Sequence, residues 1–261
     1  MKMIWFLSFA IIVLSFSCSK DDEDDTPQQP ETINYTQAEI DEKQPFIALL
    51  SRHDCGACGA YGHPLFDQKA KNQRINAVSF YYKEEDPNFT PVSRELAEYH
   101  QIFGTPTFLR GMDYLKNDTT KWKNSIDSTL NTAAEVNIKI DAYSIGNTLT
   151  YKGIINSKQP FSNDVRFAVY VVENNVFGRQ YTYNGNKWID EYEHNHVLRS
   201  APHSLWGQSI DLSNSSTETE ELTITIAPFN KNNLNLVGVV YLMDNGEPVR
   251  VLNSRTLELK K

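Results

Sequence analysis

Phe46-Ile47-Ala48-Leu49-Leu50-Ser51-Arg52-His53-Asp54-Cys55-Gly56-Ala57-Cys58 is the stretch from which the fold is read. The apolar run Phe46 to Leu50 predicts a buried strand, and the Cys-x-x-C behind it predicts a turn that opens a helix. Two thiols at that spacing can close a small disulfide ring. The first sulfur then lies over the unpaired N–H groups of the helix start, which favour a thiolate. The same spacing is also half of a zinc site, which His53 and His63 would complete with Cys55 and Cys58. Only three cysteines occur, Cys18, Cys55 and Cys58. With Cys18 used elsewhere, the other two are each other's only intrachain partners, which favours a redox-capable pair over a disulfide framework.

Downstream lies Tyr99-His100-Gln101-Ile102-Phe103-Gly104-Thr105-Pro106-Thr107-Phe108-Leu109. Together the two segments resemble the thioredoxin superfamily, and the resemblance covers roughly residues 33–134. It implies that Pro106 is a cis-proline on a loop facing the thiols, although cis is the minority state of an X-Pro bond. It also implies roles: Cys55 as attacking thiolate, Cys58 as resolving thiol, and Thr105 and Pro106 beside the backbone of a substrate. His53 and the helix start would lower the Cys55 pKa. Three positions depart from the family pattern. Asp54 stands where an aromatic is usual, Leu49 where the family carries a buried acid, and Gly56-Ala57 where Gly-Pro is common.

Met1 to Ser17 combines a basic start with an apolar stretch too short for a comfortable membrane span, which is the shape of a secretory signal. Its end, Leu14-Ser15-Phe16-Ser17-Cys18, resembles a bacterial lipobox, which implies cleavage before Cys18 and a lipid on that residue as the link to a membrane. Ser19-Lys20-Asp21-Asp22-Glu23-Asp24-Asp25 follows, and it resembles the export signal of surface lipoproteins in Bacteroidetes-type bacteria. The formal net charge is -8 with a pI near 5.3, so no nucleic-acid partner is expected. Residues 19–31 hold six acids and one lysine, so most of that charge belongs to a solvated tether over 18–32.

From residue 33 to 134 the chain reads as α/β. Thr36-Gln37-Ala38-Glu39 is a capping box for a short helix, Ile75 to Tyr82 a strand, and Ser93 the cap of a helix through His100. Thr107 to Arg110 is a strand, and Tyr114 to Lys116 a shortened last one. A helix capped by Asp118 or Thr119 carries the apolar stripe Trp122, Ile126, Leu130 and Ala133. The helix behind Cys58 must pass Pro64 and is expected to kink there.

From residue 135 the period changes to two, with strands at 148–155, 165–173, 221–227, 234–242 and 249–259. Asn184-Gly185 and Asp244-Asn245-Gly246 are turn signals. The expectation is an antiparallel immunoglobulin-like β-sandwich over 135–261, with 174–220 as its irregular part. Within that part, His194-Asn195-His196-Val197-Leu198-Arg199 resembles the twenty-eight-kilodalton outer-membrane lipoprotein family. Membership implies an outer-membrane, surface-exposed protein and implies no activity. His194 and His196 would share a strand face, with Glu191 and Glu193 near enough to complete a metal site or with an ordinary polar surface around them.

Two functions follow. One is a thiol–disulfide oxidoreductase with a protein thiol or disulfide as partner and no cofactor. The other is a non-enzymatic surface protein that binds protein or glycan through Tyr181, Tyr183, Trp188, Tyr192 and Trp206, with the cysteine pair as a structural disulfide.

Overall fold

Six consecutive residues, Phe46–Ser51, are buried, so this strand must have elements on both faces and neighbours on both edges. The computed structural model describes residues 32–35, 37, 41–115 and 118–259 and provides them. The expected signal segment, Cys18, the acidic tether, Thr36, Ala38 and Glu39 of the capping box, and Lys116 lie outside the described residues.

In chain order the strands are β1 (Thr32–Tyr35), β2 (Phe46–Ser51) and β3 (Asn76–Tyr81), then β4 (Thr107–Arg110) and β5 (Asp113–Tyr114). Between β2 and β3 run a π-helical turn (Cys58–Gly62) and α1 (His63–Ala70). The expected kink at Pro64 is thus a wider turn placed just before it. α2 (Pro91–Tyr99) precedes β4, and α3 (Thr119–Leu130) follows β5. Thr90, not Ser93, caps α2: its hydroxyl accepts from the Ser93 N–H, and Pro91 occupies the first turn, where no N–H is needed. Asp118 caps α3.

The remaining strands are β6 (Val136–Ile145), β7 (Thr148–Ser157), β8 (Val165–Glu173), β9 (Val176–Thr182), β10 (Lys187–His194), β11 (Val197–Ser200), β12 (Gln208–Ile210), β13 (Ser216–Glu218), β14 (Leu222–Thr225), β15 (Leu234–Asp244) and β16 (Glu247–Glu258). The segment 174–220 is therefore not irregular. It holds a hairpin, β9–β10, and three short strands.

β2 pairs in parallel with β3 and antiparallel with β4. Side-chain alternation then divides the burial. Ile47 and Leu49 meet Phe66, Phe108, Trp122 and Ile126 on the α1 and α3 side. Phe46, Ala48 and Leu50 meet Leu96, Ala97 and Ile102 on the α2 side. Trp122 is wholly buried and donates its indole N–H to Leu109 O at 3.1 Å.

One sheet runs β16-β15-β8-β11-β3-β2-β4-β5, so it crosses the expected divide at residues 134 and 135. The join is β11, where Val197 stands opposite Ser79 in parallel and the Ser79 N–H donates to His196 O at 2.6 Å. A second sheet, β1-β6-β7 with β13 and β14 on the far edge of β7, packs on β8, β15 and β16 through Ile138, Ile140, Tyr151, Phe167, Val169 and Val240. β8 and β15 are covered on both faces. That explains why Val165–Glu173 and Leu234–Asp244 read as nearly continuous apolar runs.

Candidate functional site

The end of β2 turns through Arg52, His53 and Asp54 and delivers the two cysteines to the start of the helix. Cys55 and Cys58 are joined in a disulfide with their Cα atoms 5.2 Å apart. Cys58 is completely buried, whereas Cys55 is partly exposed. The Cys58 N–H points at Cys55 Sγ, 3.1 Å away.

Across from the sulfurs, Thr105 O lies 3.4 Å from Cys55 Sγ. The Thr105–Pro106 bond is cis, and Thr107 Oγ1 closes the turn by donating to Gly104 O at 2.8 Å. Pro106 rests on the π turn so tightly that a Cβ on Gly62 would come within 2.9 Å of it. Phe103, just before this loop, is 93% exposed. Cys55, Cys58, Thr105 and Pro106 are therefore brought together.

His53 also lies on this turn, but its ring and its backbone N–H both engage the buried carboxylate of Asp86, at 3.0 and 2.6 Å. Its other face meets Trp188, with 5.7 Å between ring centroids. The Arg179 guanidinium lies 4.5 Å over the Trp188 ring. A zinc site built from Cys55, Cys58, His53 and His63 does not form, because each group already has another partner. Among the described residues no cluster of three or more His, Cys, Asp or Glu is placed to hold a metal.

His194 and His196 do not share a strand face. β10 ends at His194, and His196 sits in a turn with φ 58°. His194 is 1% exposed, with Nδ1 at 2.9 Å from the Tyr81 hydroxyl. Tyr81 OH is 3.3 Å from His63 Nε2, which lies 2.8 Å from Ser51 Oγ. His196 turns its ring against Phe66. Burial holds His63 down to about 3 and His194 and His196 down to about 4, so all three are neutral. Tyr192 packs its ring on His63 and His194, and burial pushes its hydroxyl up to about 12. His63, Tyr81 and His194 form the packed floor of the thiol helix, so a surface binding role for His194 is withdrawn; His196 is half-buried and lines a cleft with Asp67, Lys71, Asn174 and Asn195.

Sequence reading missed what covers the disulfide turn. The β9–β10 hairpin lies along it: Tyr181 N–H donates to His53 O at 2.8 Å and Tyr183 N–H to Gly56 O at 3.1 Å. The buried Gln180 amide donates to Cys55 O at 3.0 Å and lies 3.3 Å from Arg52 O. The signal was present in Cys55-Gly56-Ala57-Cys58-Gly59. An added Cβ on Gly56 would meet the Tyr183 ring at 2.3 Å, and one on Gly59 would meet Tyr181 O at 2.4 Å.

A cleft of about 570 Å³ lies beyond the Pro106 loop, lined by Tyr82, Lys83, Arg94, Glu98 and Phe103, and contains none of the site residues expected from sequence.

The model of the family described as outer membrane protein Omp28 matches residues 93–261. That span includes the Pro106 loop and the hairpin and begins after the two cysteines. Among solved structures, HBP35 of Porphyromonas gingivalis superposes with a TM-score of 0.63 at 18% identity, over 84% of this chain and 76% of that one. The similarity is one of fold. A domain of the outer membrane lipoprotein Omp28 from Porphyromonas gingivalis matches at 19% identity with a TM-score of 0.34, over 49% of this chain and 89% of its own. No curated protein matches the chain.

Proposed function

The chain belongs to the Omp28 outer-membrane protein family, and from that premise we propose that it is a lipid-anchored, surface-exposed thiol–disulfide oxidoreductase acting on protein or peptide disulfides. The observation that carries the reading is the asymmetry of the pair. Cys55 is accessible beside Thr105 O, and Cys58 is buried directly behind it.

In the reduced protein, the Cys55 thiolate attacks one sulfur of a substrate disulfide, forming a mixed disulfide and releasing the first substrate thiolate. The Cys58 thiolate then attacks Cys55 Sγ, which frees the second substrate thiolate and closes the Cys55–Cys58 bond. Two electrons pass to the substrate, and an external dithiol of protein or small-molecule type restores the pair. The Cys58 N–H aimed at Cys55 Sγ favours the attacking thiolate.

The order β3-β2-β4, with α1 and α3 on one face and α2 on the other, supports a thioredoxin-like reading of 33–134. For 135–261, β6-β7-β14 facing β8-β15-β16 supports an immunoglobulin-like one.

The test is insulin reduction with dithiothreitol as electron donor. Wild type should accelerate it and Cys55→Ser should abolish the acceleration, while Cys58→Ser accumulates the mixed disulfide. A wild-type protein no faster than dithiothreitol alone would leave the pair as a structural clip. The second reading, a non-enzymatic binding protein, would then stand on the exposed Phe177, Tyr183 and Trp188 of the hairpin. For the anchor, palmitate labelling should vanish in Cys18→Ala and the protein should become soluble; retained membrane association would refute it. Replacing Lys20-Asp21-Asp22 by alanines should leave labelling intact but remove access by external protease. Equal protease access would refute surface export.

A further inference from the structure

The helix of the disulfide has a roof that comes from a distant part of the chain. The β9–β10 hairpin lies more than 120 residues downstream, yet β9 and the turn after it bind the backbone of the disulfide turn at three places: His53 O, Cys55 O and Gly56 O. Two glycines on either side of Cys58 provide the room. Nothing in the helix itself requires them, since alanine is the better helix former at both positions. What requires them is the Tyr183 ring on Gly56 and the Tyr181 carbonyl on Gly59.

We infer that the β9–β10 hairpin is a positioning element of the redox centre, with Gln180 and Tyr183 setting the thiolate character of Cys55 and Gly56 and Gly59 forming their seat. This rests on the oxidoreductase reading of the site, and it names what tunes that site.

The physical argument concerns the carbonyls of the turn. Arg52 O and Cys55 O present negative partial charge on the same turn that carries Cys55 Sγ, and a thiolate there is repelled by them. Gln180 is 0% exposed, and its two amide N–H groups are shared among Cys55 O at 3.0 Å, Tyr181 O at 2.9 Å and, more weakly, Arg52 O at 3.3 Å. A buried donor of this kind offsets the repulsion in a medium where water screens little. The Tyr183 N–H on Gly56 O holds the next peptide plane. The Cys58 N–H therefore stays directed at Cys55 Sγ rather than rotating away.

Loss of the Gln180 donors should destabilise the Cys55 thiolate. The reduced state then becomes less favourable at neutral pH, and the equilibrium moves toward the disulfide. The variant is Gln180→Met, which keeps the length and apolar stem but has no donor. Gly59→Ala is the second: its Cβ meets Tyr181 O at 2.4 Å and Gln180 Cγ at 2.9 Å, so it displaces the hairpin and Gln180 with it without deleting any hydrogen-bonding group.

The experiment uses the mature chain without its signal segment. The pH midpoint of Cys55 alkylation by iodoacetamide is measured in the reduced protein. The equilibrium constant is measured against reduced and oxidised glutathione, with circular dichroism as the control for folding. Gln180→Met should move the alkylation midpoint upward and shift the glutathione equilibrium three- to tenfold toward the protein disulfide. The tenfold limit corresponds to about 30 mV. Gly59→Ala should shift both in the same direction. An unchanged midpoint and equilibrium in folded Gln180→Met overturns the proposal; if that variant does not fold, the same null result in Gly59→Ala overturns it. Neither readout needs turnover, so failure of insulin reduction would sink the oxidoreductase reading and leave this one to be decided by the titration.

Discussion

His63, His194 and Tyr81 show how a sequence motif changes meaning once its surroundings are known. The His-Asn-His segment reads as a pair of surface imidazoles because a strand places alternate residues on one face. The strand ends between them: the His194 ring goes inward, while His196 lies half-buried against Phe66. A buried network of Ser51, His63, Tyr81 and His194 results, drawn from four separate elements that no local pattern could connect. Its protonation has a definite sign. The folded protein keeps His63 neutral down to about 3 and His194 and His196 down to about 4, whereas a free imidazole takes its proton near 6.5. Below about pH 6.5 the unfolded chain binds protons that the folded one refuses, so stability is full above that pH and falls as acid is added. Each histidine contributes about 1.4 kcal/mol per pH unit in that window. Asp67 acts oppositely, because burial raises it to about 6 and the folded state takes up a proton there first. His100 and His203, also lowered by burial, act with the three histidines, and Glu95, raised by burial, acts with Asp67; the histidines outnumber the carboxyls, so acid destabilises the folded state below about pH 6.5. Urea midpoints at constant ionic strength should fall steeply across that range, and His194→Phe should flatten the slope by about one proton. A wild-type midpoint independent of pH from 6.5 to 4.5 would contradict the buried neutral network.

At the scale of elements, the parts written in local chemistry were legible and the parts written in contacts were not. β4 falls on Thr107–Arg110 as read, and of the two caps expected for α3, Asp118 and Thr119, it is Asp118 that accepts from the Lys121 N–H. The cap of α2 was misplaced by three residues because Ser93 and Thr90 are both competent hydroxyls. Pro91 decides between them, since proline suits the first helical turn and lies after Thr90. Thr90→Ala removes the acceptor for the Ser93 N–H and strands the Ser93 hydroxyl, which sits 2.7 Å from Thr90 Oγ1 in a buried position. The expected cost is about 1–2 kcal/mol, read as a lower urea midpoint with an unchanged slope. Thr90→Ser should recover most of it. The hairpin was the larger miss. Asn184-Gly185 announced a turn, but Phe177, Arg179 and Gln180 alternate against a partner rather than a core, so their period carried no hydrophobic contrast. The two glycines around Cys58 were visible, but nothing in their local sequence says that they are the receiving surface for that hairpin.

Over the whole molecule, a change of period near residue 135 suggested two domains, and that change is real: helices end there and strands take over. What periodicity could not reveal is that the sheet does not stop with it. β11 joins β8 to β3, and a polar seam reinforces the join. The Asn76 amide donates to Ser254 Oγ at 2.9 Å, Gln44 N–H to Asn253 Oδ1 at 2.8 Å, and Ser254 Oγ to Gln44 O at 2.7 Å. The apolar face formed by Phe46, Ala48, Leu50, Val78 and Phe80 belongs to one core with Tyr170, Val172, Leu198, Val237 and Tyr241. Full burial of a large apolar side chain contributes about 1.5–3 kcal/mol, so withdrawing five such partners removes on the order of 10 kcal/mol. A globular protein has only about 5–15 kcal/mol of net stability, and the loss is of that size. The residues from 31 to 261 should therefore unfold as one unit, with equal calorimetric and van't Hoff enthalpies and coincident loss of tryptophan fluorescence and β-sheet circular dichroism. A fragment ending at residue 134 should bind a hydrophobic dye and lack a cooperative transition, even though it retains the complete Cys55-to-Pro106 segment. Two resolved transitions in the intact chain, or a cooperatively folded fragment, would show that the β11 join is a contact between independent domains rather than the middle of one sheet.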